Sequence, residues 1–69
     1  MIQLHKLSHG REPFYLNPDL IERVDAAPDS HVLLTTGTKI AVCETVDEVV
    51  ERVRRWRVDV LADALRIAR

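Results

Sequence analysis

The order of apolar residues predicts an α+β fold: a five-stranded, mainly antiparallel β-meander over residues 2–44, followed by one long C-terminal helix from about 46 to 67. Three observations carry this. Up to Glu44 the apolar runs are short and separated by turn residues at intervals of roughly 8–12 positions, as in a meander. From Thr45 the apolar residues recur at helical spacing. Neither glycine nor proline occurs again before Arg69.

The first strand is marked by Ile2 and Leu4 alternating with Gln3 and His5. Ser8-His9-Gly10-Arg11 supplies a turn, because Gly10 can take a positive φ. Phe14 and Leu16 alternate with Tyr15 in the second strand, and Pro13 is tolerated at its start. Asn17-Pro18-Asp19 makes a corner. The third strand is expected over Leu20–Ala26, with Leu20, Glu22 and Val24 on one face and Ile21 and Arg23 on the other. Pro28-Asp29-Ser30 turns the chain into a fourth strand, His31–Thr35. Thr36-Gly37-Thr38 closes a hairpin to the fifth, Lys39–Glu44. The expected core is Leu4, Phe14, Leu16, Leu20, Val24, Val32, Leu34, Ile40, Val42, Val49, Val50 and Val53.

Thr45-Val46-Asp47-Glu48 fits a capping box, with threonine at the N-cap and glutamate three residues on. Val46, Val49, Val50, Val53, Trp56, Val60, Ala64 and Ile67 then form an apolar stripe. A helix over residues 45–69 would be roughly 37 Å long, whereas strands of five or six residues span about 17–20 Å. Its second half must overhang the sheet, yet Val60, Leu61, Ala64, Leu65, Ile67 and Ala68 stay apolar there. A homo-oligomer is therefore expected, with Val60, Leu61, Ala64, Leu65 and Ile67 against a neighbouring subunit and Trp56 near the seam.

Composition bounds the function. The 69 residues form one domain, residues 1–44 the sheet and 45–69 the helix, with 46% hydrophobic and 30% charged residues and a net charge of −1. Residues 1–44 carry four basic against six acidic side chains, and residues 45–69 six against five. Neither half has the dense positive field that phosphate binding requires. The single cysteine, Cys43, excludes an internal disulfide, and as a half-buried strand residue it is no nucleophile candidate. His5, His9 and His31 lack metal-ligand spacing. No carboxylate pair lies in an apolar run, and both glycines stand alone, so no hydrolytic dyad or phosphate loop is formed. Catalytic, metal and cofactor-binding residues are all absent from the expectation, as is a small-molecule substrate. Arg52, Arg54, Arg55 and Arg57 cluster beside Trp56, but acids within one turn make this an ion-paired face rather than a phosphate track. No apolar run approaches a membrane span or signal core, so the expected home is the cytoplasm.

Phe14-Tyr15-Leu16-Asn17-Pro18-Asp19-Leu20-Ile21-Glu22 resembles the Phe-x-Leu-Asn-x-Asp-Leu-Ile-Glu signature of the small flagellar FlbD/SwrD family. Met1-Ile2-x-Leu4 is similar to that family's opening hairpin. Pro28-Asp29 with Val32-x-Leu34-Thr35-x-Gly37-x-Lys39 is similar to its later one. Val42-x-Glu44 followed by Asp47-Glu48-Val49 is similar to its strand-to-helix junction, so the likeness covers about residues 1–53. Pro13 is an addition to the pattern, and the helix beyond Trp56 is longer and richer in alanine.

The resemblance implies a non-enzymatic cytoplasmic accessory of motility and swarming, acting at the flagellar base through a motor or stator protein. It makes Phe14, Leu16, Asn17, Asp19, Leu20, Ile21 and Glu22 a candidate partner surface, beside the plainer reading of Asn17 and Asp19 as turn caps. The alternative function is a small nucleic-acid-binding or transcriptional regulatory protein, since short strands before a helix resemble LytTR-type DNA-binding domains in pattern.

Overall fold

A computed structural model describes residues 1–67, apart from the His9 side chain. Ala68, which the sequence places on the overhang, lies outside the described residues. Among the described residues, five strands precede one helix: β1 (Ile2–His5), β2 (Pro13–Leu16), β3 (Ile21–Asp25), β4 (His31–Leu34), β5 (Lys39–Ala41) and α1 (Val46–Ile67). The α+β class holds, with the strands divided between two antiparallel sheets, β1-β2 and β3-β4-β5.

The β1–β2 hairpin opposes Ile2 to Leu16 and Leu4 to Phe14. Its connection is a short 3-10 turn, His9–Arg11, in which Gly10 takes a φ of 68°. Gly37, at φ 91°, plays the corresponding part between β4 and β5. No hairpin joins β2 to β3. Instead Pro18–Leu20 form a second 3-10 turn, whose first free amide, on Asp19, donates to Asn17 Oδ1 at 3.1 Å. The sheets meet where β1 runs on beside β5. Lys6 bridges to Val42, Leu7 N donates to Ala41 O at 3.1 Å, and Cys43 N donates to His5 O at 2.8 Å. The first strand thus neighbours the last, and the fifth strand ends at Ala41 rather than Glu44.

Ile2, Leu4, Leu16, Val32, Leu34, Val42 and Val49 are buried, with Phe14, Ile21, Val24, Ile40, Val53 and Trp56 packed against them. Each full burial of a large aliphatic side chain contributes about 1.5–3 kcal/mol. Two expected core positions are corrected. Leu20 is 39% exposed because it ends the 3-10 turn instead of starting β3, and the register slips between Ile21 and Arg23. That irregularity lets Ile21 and Val24 share the inward face, where strict alternation would separate them. Val50 is 54% exposed because α1 rests only its Val49 side on β1 and β3.

The helix starts as its capping box requires. Glu48 N donates to Thr45 Oγ1 at 3.2 Å, while Thr45 N donates back to Glu48 Oε1 at 3.3 Å. Its 22 residues reach about 33 Å, and the molecule measures 46 × 23 × 20 Å. Every residue from Arg57 to Ile67 is exposed.

Candidate functional site

The Phe14–Glu22 stretch is a brace between sheet and helix. Leu16 is buried and Phe14 half-buried against the core, and Asn17 caps the turn. Leu20 exposes its side chain but fixes its backbone, since its N–H donates to Asn17 O at 3.0 Å and its carbonyl accepts from Thr35 N at 2.8 Å. Glu22 points to solvent. Asp19 lies 4.0 Å from Arg57 of α1, a surface pair of small energetic worth. Pro18, buried in its turn, and Ile21 face Val50 and Val53 across an apolar groove of about 390 Å³ that Arg54 and Arg57 border.

The overhang is separate from this stretch. Val60, Leu61, Leu65 and Ile67 are all about half exposed or more, Ile67 reaching 85%, and Ala64 is exposed as well. Trp56, by contrast, packs against the core. Its outer edge meets Met1, Ile2, Gln3 and Arg52 in a shallow polar-rimmed hollow on another side of the helix.

The strand-to-helix junction holds a buried charge that the sequence pattern does not announce. Glu44 is only 5% exposed and bonds in three directions. Its Oε1 accepts from the His5 backbone N–H at 2.9 Å, and its Oε2 lies 2.7 Å from His5 Nδ1. Because a carboxylate only accepts, Nδ1 carries the proton. Arg52 Nη1 stands 3.0 Å from the same Oε2 and also donates to Gln3 O at 2.8 Å. Glu44 and Arg52 thereby satisfy, with side chains, two main-chain groups of β1, the His5 N–H and the Gln3 carbonyl. Burial pushes the Glu44 carboxyl up, but bonds from the His5 amide and imidazole, from its own backbone and from Arg52 outweigh it and hold the group at about 2. The one legible signal is parity: Glu44 follows the buried Val42 by two residues.

Several other ionic groups have a polar partner nearby. Arg54 bonds Glu51, whose carboxyl is held below its usual range chiefly by that hydrogen bond, and Arg55 lies 4.0 Å from Glu51. With Arg52 on Glu44 and Arg57 near Asp19, each arginine of the 52–57 cluster has a carboxylate beside it. His31 Nδ1 donates to Asp29 O at 2.9 Å, and its Nε2 lies 3.4 Å from Asp25. Cys43, in a bend beyond β5, donates from Sγ to Lys6 O at 3.3 Å. Among the described residues, no three His, Cys, Asp or Glu side chains gather as for a metal. No described helix is long and apolar enough to cross a membrane.

Comparison with known proteins adds one finding. A family model described as FlbD, flagellar and swarming motility proteins, matches residues 1–61 of the 69. No curated protein and no solved structure matches. FlbD is a flagellar and motility accessory family, not a known enzyme family. The match spans the Phe14–Glu22 brace, the Glu44 junction and α1 as far as Leu61, and the chain belongs to the FlbD family of flagellar and swarming motility proteins.

Proposed function

We propose that this chain is a non-enzymatic cytoplasmic accessory that supports motility and swarming by contact with a protein of the flagellar motor or stator. The family match over residues 1–61 carries the reading. Surface chemistry favours protein contact as the mode of action. Val60 and Ile67 stand exposed on the outer half of α1, on a different flank from Leu61 and Leu65, where burial against a protein is rewarded and exposure to water is not. The Phe14–Glu22 brace, with Asp19 and Glu22 outward, offers a second contact.

The nucleic-acid alternative rests on Arg52, Arg54, Arg55 and Arg57, and their carboxylate neighbours oppose it. A phosphate would have to displace those acids, in a chain whose net charge is already −1.

Deletion of the gene in a motile host tests the proposal, with swarm expansion as the readout and wild-type complementation as the control. Reduced expansion, restored by the wild-type chain, is expected. Unchanged expansion overturns the reading. A salt-dependent shift of duplex DNA by micromolar protein favours the alternative.

A further inference from the structure

Two unpartnered apolar features lie on one side of the same helix. One is the groove between α1 and the corner, formed by Pro18, Ile21, Val24, Val50 and Val53. The other is the overhang, where Leu61 and Leu65 are 61% and 60% exposed. At 100° per residue, Leu61 is displaced about 20° around the axis from Val50, and Leu65 about 60°. Measured from Val53, deeper on the groove's helix wall, Leu61 and Leu65 stand about 80° and 120° around the axis, so the protrusion adjoins the groove on its Val50 rim, with Val50 and Leu65 separated by about 22 Å along the axis.

We propose that this face is a self-complementary dimer interface, in which the overhang of each copy fills the groove of the other. A two-fold axis passing near Arg57 and Val58, with the helices antiparallel, sets Leu65 of each copy opposite Val50 of the second. It sets Leu61 level with Arg54. Both grooves and both protrusions are satisfied by one isologous contact.

Area argues for a second copy. The chain exposes 5030 Å², about 600 Å² more than a compact monomer of its mass. Removing that excess from both copies buries about 1,200 Å² in all, where stable interfaces begin. Charge is consistent with the same contact. The axis brings two Arg57 side chains near each other, but each has its own Asp19 at 4.0 Å, so the group is neutral in total. Asp63, on the overhang, is bonded within its own helix by Arg66. The arrangement also gives the Pro18–Ile21 corner a role beyond bracing, as one wall of the groove.

Light scattering on the purified chain at about 50 µM, with circular dichroism to check folding, tests this through two variants. Val50→Lys and Leu65→Glu each alter an exposed side chain, so each should fold. Wild type is expected at twice the monomer mass, and each variant alone at the monomer mass. In an equimolar mixture, one contact is native and the other sets the introduced lysine against the introduced glutamate, so the dimer should return. A monomeric wild type overturns the proposal, because the face then belongs to a different partner. So does a variant that stays dimeric, or a mixture that stays monomeric. These readouts use purified protein alone and do not depend on the motility reading.

Discussion

One carboxylate, that of Glu44, grips His5 twice, taking the backbone N–H on Oε1 at 2.9 Å and ring Nδ1 on Oε2 at 2.7 Å. The two residues lie 39 positions apart. Their contact fastens β1 to the junction from which α1 departs, with Arg52 closing the set from the helix side. Glu44 is the buried member of the set, and His5 and Arg52 meet it from the half-exposed rim.

Glu44→Ala should cost about 1.5–3 kcal/mol, the worth of hydrogen bonds to a charged group, because His5 and Arg52, 37% and 39% exposed, regain water; that is a large share of the stability of so small a chain. Urea denaturation measures it. Arg52→Ala should cost less, since Arg52 is 39% exposed and the solvent replaces part of its role.

The same site sets the acid limb. The Glu44 carboxyl is held at about 2 in the folded protein against an ordinary 4.5. A depressed carboxylate stabilises the fold above its unfolded pKa, and that stabilisation fades as pH falls through 4.5 toward 2. About 3 kcal/mol is involved. Wild type should exceed Glu44→Gln in stability at pH 7, and the gap should close by about pH 2. A gap independent of pH would show that the carboxylate charge is not what the site uses.

Leu4 is fully buried between the sheets and α1, so Leu4→Ala should cost about 2–5 kcal/mol. Leu7, 44% exposed three residues on, should lose well under half as much on the same change. Equal losses would contradict the assigned core.

Thr45→Ala should cost about 1 kcal/mol, since it removes the acceptor for Glu48 N. Thr45→Ser should restore most of it. Thermal unfolding resolves the difference.

What the sequence disclosed follows from how local each signal is. The capping box was legible because Thr45 and Glu48 are three residues apart and answer only to each other. The same holds for Asn17 capping Asp19 and for Gly37 turning β4 into β5. Strand faces were legible wherever period two ran unbroken, as at Ile2–Leu4 and Val32–Leu34. They failed at Leu20, where a 3-10 turn and a register slip shifted the phase so that Ile21 faces inward. The juxtaposition of β1 and β5 was hidden because no local pattern states which distant edges meet. The Glu44 site was hidden for the same reason, as His5 and Arg52 reach it from different elements. Of the candidate surfaces, the apolar overhang was readable from spacing alone, whereas the groove beside it needs Pro18 and Val50 brought together by the fold.

The proposed action on the flagellar motor is read out as torque. In a deletion strain, tethered cells should turn with reduced torque while filament number stays normal, and the wild-type chain should restore both speed and torque. Normal torque in cells lacking the protein would rule out action on the motor, as would a loss of filaments, which would move its role to flagellar assembly or gene expression.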